Sequence, residues 1–358
     1  MSRIAFYAPL KSPDHPVPSG EREVARNLLK ALARDGHQVE RVSEFRSLDK
    51  QGDPARQAVL ITQAEAEVHR LVAKAPWQAW VTYHSYYKAP DLLGPAVCDA
   101  LGIPYLTIEA TRAAKRLSGP WAMFEERAAA ACDRADVLFH FTARDADGLR
   151  PFLRRGQRLV HLAPFLGQVA LPDIAAPCDP PIILLAGMMR PGDKLASYDI
   201  AARTLAKLPD GPWRAEIAGD GPMKDEVAAM FAPLSRKVAF LGQLDSDGMA
   251  AAYRRARAFF WPGVNEAFGM VYLEAQAAGV PVVAENREGV RDVVAPGGLV
   301  PAQAEEALAA ELHHLLNDTT YHARRAKEAR TRIAAHHLIG AARDTLWGTL
   351  APMIPEAE

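Results

Sequence analysis

Two glutamates, Glu266 and Glu274, stand with seven residues between them in the stretch 259–284, FFWPGVNEAFGMVYLEAQAAGVPVVA. Ionised carboxylates accept hydrogen bonds and so suit hydroxyl groups. A helix starting near Gly269 places Glu266 in the preceding loop and Glu274 along the helix, where eight residues span about 12 Å. The free amides and dipole of the helix start favour phosphate. A sugar nucleotide, with a hexose at one end, a ribose at the other and a diphosphate between them, suits this arrangement. The alternative is a first-turn acid and a solvated helix residue. Gly269 and the small residues Ala275, Ala277 and Ala278 favour the ligand, because they let a backbone approach closely.

Cations follow the same logic. Arg190 and Lys194 lie in the segment GMMRPGDK (residues 187–194), in a loop between a strand end and a helix start, where phosphates are met. His84 follows the strand V-T-Y within Y-H-S-Y-Y-K-A-P-D and either binds ligand hydroxyls or bonds a loop carbonyl. Tyr86, Tyr87 and Lys88 cluster with it as a sugar-binding rim would. Gly20 opens a helix in S-G-E-R-E, either as a turn residue or beside a diphosphate.

These groups need strands that end where helices begin. Short apolar runs at 4–8, 39–42, 58–61, 79–83, 105–108, 135–141 and 160–165 predict strands in the first half. Helical patterns lie between them, including one opened by Pro18-Ser19-Gly20-Glu21, running to about Asp35 and stopped by Gly36. In the second half, strands are expected at 182–186, 213–218, 238–241, 259–261 and 280–284, and helices at 196–208, 249–257 and 269–278. Strand, loop, helix, strand is the βαβ grammar of a parallel sheet, whose ligands bind at the carboxyl ends of strands. Residues 166–181, rich in Pro, Ala and Asp, mark the domain boundary. The expected domains are residues 1–170, 171–335 and a terminal helical segment, 336–358, crossing back to the first.

The 358 residues suffice for two cores, and the net charge of -1 gives no support for nucleic-acid binding. Cys98, Cys132 and Cys178 lack metal-ligand spacing, and the scattered histidines, including the pairs His313-His314 and His336-His337, have no companion ligands at such spacing. No metal and no cofactor is expected. D-x-D occurs at 145–147 and 245–247, each read as a helix cap. No apolar run reaches the length of a membrane span, and a cytoplasmic location is expected. Residues 112–127 mix Arg112, Lys115 and Arg116 with Leu117, Trp121 and Phe124. They either line a binding loop or dock peripherally on anionic lipid at the inner face of a membrane.

The run E-A-F-G-M-V-Y-L-E-A-Q-A-A-G-V-P-V-V resembles the signature of family 4 retaining glycosyltransferases, which have the GT-B fold: two facing Rossmann-like domains with parallel sheets and a deep interdomain cleft. The resemblance is strong over 182–284 and weak in the first half. It implies transfer of a hexose from a nucleotide diphosphate sugar (UDP- or GDP-linked) to an acceptor hydroxyl, with retention and without a metal. Glu266, with Ala267, Phe268 and Gly269, would orient the hexose; Met270 and Val271 continue the donor contact, and Glu274 would hold the ribose. Arg190 and Lys194 would bind the diphosphate, Gly20 would lie near it, and Leu244, after the strand at 238–241, would stand at the base. The acceptor, a glycan, lipid-linked sugar or small molecule, would come to His84. Where relatives carry a histidine after the next strand, this chain has Glu109, in Y-L-T-I-E-A-T. Alternatives are a non-catalytic nucleotide-sugar-binding or partner subunit and a sugar-nucleotide epimerase.

Overall fold

The computed structural model describes residues 2–16, 19–34, 36–174 and 178–354. Pro18 and Asp35, expected to bound the first helix, lie outside these residues. The chain divides into two compact units: Met1–Gly167 with Ile339–Glu358, and Gln168–Leu338.

The first unit holds β1 (Arg3–Tyr7), β2 (Gln38–Arg41), β3 (Ala79–Ser85), β4 (Tyr105–Ala110), β5 (Val137–His140) and β6 (Arg158–His161), in sheet order β2-β1-β3-β4-β5-β6. The second holds β7 (Ile182–Ala186), β8 (Arg214–Ala218), β9 (Val238–Gly242), β10 (Ala256–Phe260), β11 (Val282–Glu285) and β12 (Leu299–Val300), in order β12-β11-β10-β7-β8-β9. Every pairing is parallel. Helices cover both faces of such sheets, so central strands are continuous apolar runs: IILLA in β7 is buried at every position. Edge strands differ, and β2 (QVER) has no buried residue.

Each sheet has one place where the chain reverses its direction of winding, between β1 and β3 in the first and between β7 and β10 in the second. At such a switch point the two following loops diverge and leave a crevice at the carboxyl ends of the strands. Gly20 follows β1, His84 lies at the end of β3, Arg190 and Lys194 follow β7 and Glu266 follows β10, whereas Glu109 lies at the end of β4 and Leu244 follows β9.

Several expectations shift. Residues 58–61 are not a strand; they belong to the helix Pro54–Lys74. Asp53 caps it by accepting from the amides of Ala55 and Arg56, Pro54 sits at its start, and Gln57, Leu60, Ala64 and Leu71 form its buried stripe. The four-residue apolar run is one turn of that helix. Lys194 is not in a loop, because the helix begins at Asp193 and runs to Ala206. Asp245 caps its helix by accepting from Gly248 N, whereas Asp145 lies inside one, as the reciprocal partner of the cap Thr142 in a capping box. The terminal helix, Ile339–Leu350, packs on the helix Gly20–Leu32, with Arg343 donating to Lys30 O at 3.1 Å, and on the residues that follow it, where the His37 and Trp347 rings lie 4.1 Å apart and Arg34 pairs with Asp344 at 2.9 Å.

Candidate functional site

In the second unit, the loop after β7 and the loop after β10 meet. Lys194, in the first turn of Asp193–Ala206, forms an ion pair with Oε1 of Glu266. Trp261, directly after β10, donates its indole Nε1–H to the same oxygen at 2.8 Å. The two loops are tied further by Asn265 Nδ2 donating to Asp193 Oδ1 at 2.9 Å and by Val264 N donating to Ser197 Oγ at 3.1 Å. Arg190 is exposed, in the loop that leads into the helix of Lys194. Asn265 holds φ 48°, in the left-handed region that asparagine enters more readily than most residues with a side chain.

Gly269 caps the helix Met270–Ala277 with φ 79°, and a Cβ there would meet the Tyr272 ring at 2.8 Å. Only glycine fits, and the chain can then enter the helix with its first amides turned towards the loop. Ala267 and Phe268 complete this loop, with Phe268 buried. Glu274 lies on the helix beyond Met270 and Val271, and Tyr253 donates its hydroxyl to Glu274 Oε2 at 2.9 Å. The G-D-G-P turn serves close approach: a Cβ on Gly219 or Gly221 would collide with the carbonyl oxygens of Gly187 and Met189. Leu244 stands after β9, at the far edge of the sheet from this cluster.

In the first unit, the switch point gathers His84 at the end of β3, Glu109 at the end of β4 and Glu21 on the first turn after Gly20. His84 Nδ1 donates to Glu21 Oε1 at 2.7 Å and lies 3.6 Å from Glu109 Oε2. His84 and Glu109 have φ 59° and 58°, so two neighbouring strands both carry a left-handed residue one position before their ends. Burial alone would lower the imidazole's pKa, but Glu109 and then Glu21 outweigh it and raise it to about 9. Burial pushes the Glu109 carboxyl up to about 7, with His84 opposing the rise. Gly20 is the first helical residue; Ser19 caps the helix by accepting from Arg22 N and receives Lys11 Nζ at 2.7 Å. The loop carrying Tyr86, Tyr87 and Lys88 is anchored by buried Asp91, which accepts from Thr82, from Tyr105 and from the amides of Leu93 and Gly94.

The structure therefore brings Arg190, Lys194 and Glu266 to Gly269 together at one switch point, with Glu274 further along the helix. It brings Gly20, His84 and Glu109 together at the other. Sequence reasoning missed Glu21, Trp261 and Tyr253. Glu21 adjoins Gly20, but nothing in its spacing couples it to His84, 63 positions on. Among the described residues, Glu21, His84 and Glu109 form the one group whose ligand atoms lie within 4.8 Å of one another and could hold a metal ion. No helix among the described residues is long and apolar enough to cross a membrane.

Residues 173–332, most of the second unit, match the family described as Glycosyl transferases group 1. The D-inositol 3-phosphate glycosyltransferase of Corynebacterium urealyticum is 37% identical over 128 residues, covering 33% of this chain and 30% of that protein. The phosphatidyl-myo-inositol mannosyltransferase of Mycobacterium leprae is 40% identical over 106 residues, 28% of each chain. The alignments thus span under a third of these two relatives' length. Among solved structures, the sucrose-phosphate synthase of Thermosynechococcus elongatus superposes with a TM-score of 0.72, 19% identity and 98% coverage of both chains. HepE of Anabaena, solved with UDP-glucose, gives 0.67 at 17% identity, covering 98% of this chain and 100% of that one. The two parallel α/β units are those of the GT-B fold.

Proposed function

We propose that the protein is a glycosyltransferase that moves a hexose from a UDP- or GDP-linked sugar to an acceptor hydroxyl, with retention of configuration and no need of a metal. The observation that carries this reading is the second-unit switch point, where Lys194, Arg190 and a helix start stand beside Glu266, inside the segment that matches Glycosyl transferases group 1. Glu266 and the amides of Ala267, Phe268 and Gly269 take the hexose hydroxyls. Glu274 takes the ribose, Met270 and Val271 lie along the donor, and Leu244 stands at the base. Arg190, Lys194 and the helix start receive the negative charge that develops as the anomeric carbon–oxygen bond breaks and its electron pair leaves with the diphosphate. Gly20, with open space beside its α-carbon, is assigned to the diphosphate as well.

The first unit is assigned the acceptor. Its hydroxyl oxygen forms the new bond to the anomeric carbon, and its proton passes to Glu109, whose pKa of about 7 suits a base at neutral pH. Protonated His84 holds Glu109 and Glu21 in place. Acidic groups predominate in this cluster, which favours a neutral glycan, lipid-linked sugar or small hydroxylated acceptor. A cytoplasmic enzyme, soluble or resting on the inner face of a membrane, would have access to both substrates.

The test is a thermal-shift panel of UDP, GDP, ADP and their common sugar conjugates, since a ligand that binds only the native state raises the melting temperature. One nucleotide series is expected to stabilise the protein, and Glu274→Ala should abolish that shift. Stabilisation by none of them at millimolar concentration would overturn the donor site. Stabilisation without transfer to any acceptor would favour a binding subunit instead.

A further inference from the structure

The geometry points to Trp261 as the residue that fixes the orientation of the Glu266 carboxylate, and we infer that it is a positioning residue that sets hexose selectivity. This rests on the donor-site reading of Glu266 given above. Trp261 is fully buried. Its indole is locked on several sides: the Tyr198 ring stands edge-on at 4.9 Å, and the α-carbon of Gly187 lies so close that a Cβ would meet the ring at 2.8 Å. Its backbone is held by N–H donation to Val283 O at 3.2 Å and by the Tyr272 hydroxyl donating to its carbonyl at 3.1 Å. A ring so confined places Nε1–H at one point, and that point is 2.8 Å from Glu266 Oε1.

Lys194 contacts the same Oε1, with its ammonium 5.5 Å from the centre of the indole ring. The two donors have different futures when a donor sugar arrives. Lys194 sits on a flexible stem and is drawn to the diphosphate. The indole cannot follow. Once the lysine turns away, the Trp261 hydrogen bond is what keeps the carboxylate from rotating, so Oε2 continues to present one fixed acceptor to a sugar hydroxyl. Oε2 has no protein partner among the described residues. Epimeric hexoses differ in the direction of a single hydroxyl, and discrimination between them needs an acceptor that does not turn.

The test is Trp261→Phe, which keeps an aromatic ring and removes the N–H, measured with UDP-glucose, UDP-galactose and GDP-mannose as donors and with UDP and GDP alone. For the preferred donor, kcat/KM should fall about 10-fold or more, the size of a lost hydrogen bond to a charged group. The preference between epimeric donors should shrink, while affinity for the nucleotide diphosphate alone changes less than about 2-fold on the same reasoning. Trp261→His returns a ring N–H and should recover part of the preference, and Trp261→Phe should have no further effect on a Glu266→Ala background. Equal losses for nucleotide and nucleotide sugar, or the same loss with Glu266 already removed, would show that Trp261 acts by packing alone and overturn the inference. If Trp261→Phe does not fold, Trp261→Leu, which likewise lacks the N–H, carries the same comparison. A wild-type protein that binds none of the nucleotides would bring down the donor-site reading, and this inference with it. Binding by the wild type with an unchanged epimer preference in the variant would overturn this inference alone.

Discussion

The two switch points share a geometry and differ in charge. Each lies where a six-stranded parallel sheet reverses its winding, and each is completed by a helix start and by left-handed non-glycine residues. In the second unit Glu266 is paired with Lys194, with Asp193 bound to Asn265 and exposed Arg190 beside them. In the first, two carboxylates share one imidazole. Basic groups beside a helix start suit a diphosphate, and a surplus of carboxylate suits hydroxyl groups. The same backbone device thus presents two charge patterns, and the difference lies in which side chains the strand ends carry.

The comparison is broken most directly at the carboxylates. Glu266→Ala should lower kcat/KM for transfer about 100-fold or more, as expected for a group that holds the reacting sugar in place. Glu109→Ala should lose transfer while nucleotide-sugar binding, read by melting temperature, stays as in the wild type. Loss of donor binding in both variants would end the division of labour between the units. Lys194→Ala should weaken the nucleotide diphosphate about 10- to 100-fold, the scale of a charge-assisted contact, and titration calorimetry reads it directly.

A smaller effect sharpens the electrical contrast. The imidazole of His84 is raised from its ordinary 6.5 to about 9, so its protonated form favours the folded state. That stabilisation is complete below pH 6.5 and is lost as pH rises through about 9. Glu109, raised from 4.5 to about 7, works with the same sign over the lower window. The groups acting on His84 are Glu109, Glu21 and, more weakly, Asp145. The melting temperature should therefore fall between pH 6.5 and 9, and His84→Asn should flatten that fall. An unchanged slope in the variant would mean that the cluster does not hold the proton. The smallest effect is expected from Tyr253→Phe, which removes the hydroxyl donor to Glu274 and should weaken nucleotide binding about 3- to 10-fold. A 2′-deoxynucleotide should show less of that loss.

Much of this was legible because parallel sheets write their strands as unbroken apolar runs and their ligand loops as glycine-rich ends. Residues 182–186 and the start of the helix near Gly269 read directly. Residues 58–61 misled because a four-residue apolar run also fits one turn of a helix, and the decisive signals were Asp53 and Pro54 just before it. The helix containing Lys194 starts earlier than expected because Gly192, at φ 81°, turns the chain straight into it. Glu21 and Trp261 stayed hidden for another reason. Their partners, His84 and Glu266, are fixed by strand order and ring packing, which local spacing does not encode. The architecture is a two-unit parallel α/β fold, and its site chemistry depends on contacts that only the folded chain creates.

The pairing of Lys194 with Glu266 makes ligand entry an exchange. Lys194 and Glu266 neutralise each other, so a guest must replace what it displaces. Inorganic phosphate can recruit the lysine, but it leaves the carboxylate with the indole alone. A plain sugar has hydroxyls for the carboxylate and nothing for the lysine. A molecule that carries both an anion and a hydroxyl, at the right separation, satisfies the two partners at once. Fragments of the donor should therefore bind far more weakly than their individual contacts suggest, and the intact molecule more tightly than their sum.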